Sequence, residues 1–182
     1  MALQFTTSYL EDSLAVFRQY KRLAETAMSQ INDEQLQAVL DPEMNSIACI
    51  VKHMAGNMRS RWTDFLNSDG EKPNRNRDTE FIEPPATRQA VLALWNEGWQ
   101  LVFDALEPLS EADLSRTVHI RGEAHSAMQA INRQIAHYAS HCGQIVLLAK
   151  HFKGEEWKSL SVPRNRSVEF TQKVLAGEAS QR

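Results

Sequence analysis

Cysteine is scarce in this chain, and its scarcity is the first thing that narrows the class of protein. Cys49 and Cys142 stand far apart, each inside a helical pattern. They read as an unlinked pair of small buried thiols rather than a disulfide. No apolar run approaches the roughly 20 residues a membrane helix needs. The opening Met1-Ala2-Leu3-Gln4-Phe5 has no cationic start and no apolar core, so no signal peptide is expected. Positive charge is not in excess either. The formal net charge of −3 gives no long-range attraction for nucleic acid or an anionic membrane. The expectation is a cytoplasmic protein with neither as a partner. Its basic clusters, Arg59/Arg61 and Arg164/Arg166, read as solvated or paired with carboxylates. There is no internal repeat, low-complexity tract or domain boundary.

What is present is helix. The 182 residues, 42% hydrophobic and 24% charged, fit one soluble domain over 1–182 that can bury a core. Four long segments carry apolar residues at helical spacing. The first runs from about Thr7 to Gln30, and Asn32 to Pro42 is a looser connection with room for a short helical turn. Asn45-Ser46 are good cap residues for a second helix reaching about Asn67, with Ile47, Ile50, Val51, Met54, Met58, Trp62 and Phe65 repeating at three- and four-residue steps. Ser68-Asp69-Gly70 ends it. Glu71 to Pro85 is polar, has three prolines, and is the longest irregular stretch, the kind that often serves as a lid or binding loop. A third helix spans about Thr87 to Leu106. Ser110-Glu111-Ala112-Asp113 signals one short turn, and Thr117-Val118-His119-Ile120 alternates as an extended segment would. A fourth helix covers about Ser126 to Phe152. Pro163 interrupts the chain, Ser167 is placed to cap a short final helix through Val174, and Ala176 to Arg182 is a polar tail expected to fray.

The chemistry sits on the second and fourth helices. His137-Tyr138-Ala139-Ser140-His141 puts two imidazoles one turn apart on one face, with β-carbons roughly 6 Å apart, so both rings can reach one ion. Such a pair taken alone is a weak signal. His53, flanked by Ile50, Met54 and Met58, sits where a core residue would, and a lone histidine there is more often a hydrogen-bonded core residue. The balance changes if the two helices face each other. Three inward imidazoles repel when protonated, and each needs a partner when neutral; one metal ion satisfies all three. The glutamate of the His-Glu-x-x-His proteases is replaced by Tyr138, which disfavours that peptidase mechanism. Three histidines leave coordination positions for water, thiolate or substrate. No residue stands out as catalytic. Asn57 and Arg61, four and eight residues after His53, and Gln134 and Gln144, flanking the pair by three, are candidates to orient the rings or bind substrate. Ordinary helix-surface bonding is the plainer reading of each. Arg121 and Arg133 are weaker candidates as anion clamps, and His119, His125 and His151 have no identifiable partner.

The runs Asn45-Ser46-Ile47, His53-Met54-Ala55-Gly56-Asn57-Met58-Arg59-Ser60-Arg61-Trp62-Thr63-Asp64-Phe65 and Asp69-Gly70-Glu71-Lys72-Pro73 resemble an uncharacterised branch of the DinB-like superfamily of metalloenzymes. So do Ala130-Ile131-Asn132-Arg133-Gln134, the later His137, His141, Gly143, Gln144 and Ile145, and Trp157-Lys158-Ser159-Leu160-Ser161-Val162-Pro163. The resemblance covers nearly the whole chain. It implies an all-α fold, an antiparallel four-helix bundle in up-down-down-up order, with a short C-terminal helix here. It implies a divalent metal, typically nickel or zinc, on one histidine of helix two and two of helix four, which here are His53, His137 and His141. Homodimers are common among such proteins, and relatives include transferases that use low-molecular-weight thiols such as bacillithiol, and mycothiol-dependent isomerases.

Three functions compete. The first is a metal-dependent enzyme of thiol S-transferase type acting on a small molecule, with a low-molecular-weight thiol on the metal and an electrophile entering from the Glu71–Pro85 side. The second is a non-catalytic stress protein whose ion stabilises the fold. The third is a metal-free module with the histidines in its core.

Overall fold

A computed structural model describes residues 5–180. The expectations of no signal segment and of a frayed tail fall partly on residues 1–4 and 181–182, outside the described residues. Six helices and one two-strand hairpin follow in the order α1 (Tyr9–Met28), α2 (Asp33–Gln37), α3 (Ile47–Trp62), α4 (Arg88–Leu106), β1 (Thr117–Ile120), β2 (Glu123–Ser126), α5 (Ala127–Lys153) and α6 (Ser167–Leu175). The starts of the long helices are chemically marked. Ser8, Ser46, Thr87 and Ser126 each accept a hydrogen bond from the backbone N–H three residues on, satisfying donors a helix start leaves free. Gly154 closes α5 at φ 59°, a conformation glycine adopts without steric cost.

The molecule is mostly helical, as expected of an all-α chain. Helix α3 lies along α4, and α1 along α5; α3 also meets α5 and α1 meets α4. Aromatic rings fill the shared interior. Phe17 of α1 lies 6.0 Å from Trp62 and 6.1 Å from Trp99, and Trp99 lies 5.6 Å from Tyr138, centroid to centroid. Close approach of α3 and α4 depends on Gly98, where an added Cβ would come within 2.8 Å of Met58 Sδ and 3.2 Å of the Ala55 backbone. One polar thread crosses this interior. Trp62 Nε1–H donates to the Tyr138 hydroxyl at 2.9 Å, which donates to Asn57 Oδ1 at 3.0 Å. A buried donor without a partner costs on the order of 1–3 kcal/mol, so this thread fixes how α3 and α5 face each other.

Two boundaries and one pairing differ from the sequence reading. Helix α3 stops at Trp62 rather than Asn67, because Thr63 is extended and Asp64 takes φ 50°; the Asp64 carbonyl then accepts from Asn67 and Ser68 in a turn. Ser167 is the first residue of α6 and not its cap; Arg166 holds that position without a side-chain bond. The extended segment has a partner that alternation alone did not reveal: Thr117–Ile120 pairs antiparallel with Glu123–Ser126. Arg121 (φ 57°) and Gly122 (φ 79°) form the turn, the backbone that two-residue hairpins favour. The Asp69 carboxylate accepts from both turn N–H groups at 2.8 and 2.7 Å. Among the described residues, no helix is long and apolar enough to cross a membrane.

Candidate metal centre

Helix α3 contributes His53 and α5 contributes His137 and His141, and the facing of these helices brings the three rings together. His137 Nε2 lies 3.0 Å from His141 Nε2 and 3.4 Å from His53 Nε2. One potential ligand atom from each residue lies within 4.8 Å of the others. A tetrahedral ion with metal–nitrogen distances of about 2.0–2.1 Å places its ligands about 3.3–3.4 Å apart. The two separations from His137 lie near that span, so the three histidines could hold one metal ion.

The outward ring nitrogens decide the tautomers. His53 Nδ1 faces Glu80 Oε2 at 2.8 Å, His137 Nδ1 faces Gln134 Oε1 at 3.3 Å, and His141 Nδ1 faces Gln144 Oε1 at 2.8 Å. Each oxygen accepts an N–H, so each Nδ1 carries the proton and each Nε2 presents a lone pair inward. Three lone pairs converging at these distances repel one another unless a proton or a metal ion lies among them. Burial, reinforced by His141, His53, Arg61 and Arg75, pushes His137 down to about 3. Burial also lowers His141, with His53 adding to the effect and Gln144 opposing it. Rings held neutral are in the ligand form without first losing a proton.

His53 is held from a distance. The residue is 4% exposed, and its ring stacks on Phe81, centroids 4.6 Å apart. Phe81 and Glu80 come from a 3-10 turn at Asp78–Phe81, inside the polar loop. The loop thus packs against His53. Behind His53 runs a line of alternating charge. Glu80 Oε1 accepts from Arg75 Nε at 2.7 Å, Arg75 Nη1 reaches Glu71 Oε2 at 3.1 Å, and Glu71 Oε2 accepts from Arg61 Nη1 at 2.9 Å. Burial pushes the Glu80 carboxyl up, but hydrogen bonds from His53 and Arg75 and the Arg75 charge hold it below the usual range. Gly56 makes room for it: an added Cβ would lie 2.7 Å from Glu80 Cδ.

The four polar residues expected beside the ligands divide. Gln134 and Gln144 bond the His137 and His141 rings directly. Asn57, buried, is bonded to Tyr138 rather than to a ligand. Arg61 ends the charge line, with Nη1 also donating to the Gly70 carbonyl and Nε buried without a partner. Arg121 reaches Glu71 at 3.4 Å, on the far side of that line.

The DUF1572 model, a protein family of unknown function, matches residues 4–166. The chain belongs to this family. The match takes in all three histidines, the Glu71–Pro85 loop and both glutamines, so the whole centre lies inside the family's domain. No curated protein matches the chain.

Glu80, Arg75, Phe81 and Gly56 were not singled out from sequence. The available signal was a glycine in mid-helix, three residues after His53. Glycine costs a helix interior about 1 kcal/mol against alanine, and such a residue often marks a close approach.

Proposed function

We propose that this chain is a DinB-like metalloprotein, a four-helix bundle in up-down-down-up order, holding nickel or zinc on His53, His137 and His141. We propose that it acts as a homodimeric, thiol-dependent transferase on a small molecule. The observation that carries the reading is the donor set itself: three inward Nε2 atoms, each fixed by an oxygen on the opposite ring nitrogen. A divalent ion bound there would lower the pKa of a thiol or water at its open position, giving a nucleophile near neutral pH. The chain's own part is to hold the His137 and His141 rings neutral, to shield the His53 side with Phe81, and to keep a carboxylate behind His53. Gln134 and Gln144 fix the tautomers of the α5 pair. Among the described residues, the carboxylate at the centre, Glu80, is already committed to His53 and Arg75, which suits activation by the ion itself.

Metal content and the cobalt(II) absorption spectrum test this. Wild type should bind one equivalent with a tetrahedral spectrum, and His137→Ala, whose ring touches both others, should lose it; His53→Ala and His141→Ala should follow. A shift of the cobalt bands on adding a small thiol would support the transferase reading. Wild type that neither retains nor takes up metal would sink the whole proposal.

A second reading has its own observation. The cluster ties α3, α5 and the 71–85 loop together, so an ion there also stabilises the fold. If that is its whole role, chelation lowers the melting temperature, by an amount that grows with metal excess over Kd, and no thiol perturbs the cobalt spectrum.

A further inference from the structure

We infer that the groove between α3 and residues 72–80 binds a small organic anion bearing phosphate or carboxylate groups, independently of the metal reading. The groove has a volume of about 640 Å³, within the roughly 300–1,000 Å³ of small-molecule sites. That is room for more than an inorganic ion. Its walls carry Lys52, Arg59, Lys72 and Arg75 against a single carboxylate, Glu80.

That carboxylate is already committed, accepting from Arg75 Nε, Arg75 Nη2 and His53. The two ammonium groups are not neutralised within hydrogen-bonding distance. Lys52 Nζ donates to the carbonyls of Thr79, Ile82 and Glu83, and Lys72 Nζ to Ser68 Oγ and the Asp69 carbonyl. Asp64 and Asp69 favour the charged form of Lys72, but burial outweighs them and lowers it; neither acid lines the groove. Arg59 uses one Nη2–H on Glu97 at the rim, leaving its other donors available. Arg75 is paired with Glu80 and Glu71 and Arg59 with Glu97, so the unpaired positive charge of the cleft is that of Lys52 and Lys72, whose field its walls focus on an incoming anion. Leu94 and Ala55 supply an apolar wall, which suits an organic body between charged ends.

The cleft reaches the metal centre through one residue. Glu80 lines the groove and bonds His53, so an occupant beside Arg75 is one carboxylate away from a ligand ring.

The test titrates the full chain calorimetrically with inorganic pyrophosphate and with citrate, before and after chelation. Saturable binding that survives chelation and weakens with salt is expected. Tighter pyrophosphate would assign a phosphate ligand; tighter citrate would assign a polycarboxylate. Arg59→Gln and Asn74→Asp alter exposed positions, so folding should be retained; the first removes a charged donor and the second adds a carboxylate. Each should weaken binding about tenfold, the size of one charge-assisted bond. Absence of saturable binding by either probe, or affinity unchanged in both variants, would overturn the assignment.

Discussion

His53 takes its orientation from charged residues outside its own helix, whereas His137 and His141 take theirs from amides three residues away on α5. The contrast is energetic as well as geometric. Gln134 and Gln144 are helical neighbours of the rings they hold, so helix formation brings each pair together at little added entropic cost. Glu80 reaches His53 only after the loop has folded back on α3, and its position is shared with Arg75, Glu71 and Arg61. A local support can be lost singly. Loss of one member of the ionic line strands its neighbours in a poorly hydrated place.

The largest effect should therefore come from Glu80→Ala. The Arg75 side chain is 5% exposed and Glu80 8%, so the substitution leaves a buried guanidinium facing only Glu71. Breaking a buried pair by removing one partner costs about 3–5 kcal/mol. Metal affinity should also fall about 10- to 100-fold, as when the partner of a ligating histidine is removed. Urea unfolding checks the first and competition with a chromogenic chelator the second. Unchanged stability would mean that the line of charge is surface decoration.

Gly56→Ala attacks the same side more gently. Its methyl group would meet the Glu80 carboxylate, and a forced shift in a packed site costs about 1–3 kcal/mol. The control is Gly143→Ala on α5, where an added Cβ meets nothing within 4 Å. At that helical position alanine should stabilise by about 0.5–1 kcal/mol. Opposite signs at two helical glycines are the expected outcome of thermal or urea unfolding. A stabilising Gly56→Ala would show that Glu80 moves aside freely.

The same contrast sets what the sequence makes legible. Helices α1, α3, α4 and α5 announce themselves through caps such as Ser46 and Ser126 and through apolar spacing, because helix burial obeys a local period. The α5 half of the centre is equally local: a pair at i, i+4 with glutamines three residues to either side. His53 was placed with them by its position on an apolar helix and by resemblance. Glu80 was not reachable in this way. It lies 27 positions from His53 in a loop without periodicity, where contacts depend on turn geometry and on charge pairing with Arg75. Strand β2 was missed for a related reason: its burial does not alternate, and it is defined by its partner β1 and by the Arg121-Gly122 turn.

The smallest effect should fall on the local side. Gln144 is exposed, and its contact with His141 at 2.8 Å is replaceable by water. Gln144→Ala should leave unfolding free energy within about 0.5 kcal/mol of wild type, as surface substitutions usually do. Metal affinity should fall by no more than about tenfold, the lower end for a residue that orients a ligand. Gln134, 3% exposed, provides the intermediate case. Its amide has no water to replace it, so Gln134→Ala should weaken metal binding more than Gln144→Ala, and Gln134→Glu should restore the acceptor at His137 Nδ1. If Gln144→Ala destabilised the fold as much as Glu80→Ala, local and distant supports would not differ in kind. The centre would then be one cooperative unit, in which every partner of a histidine matters equally.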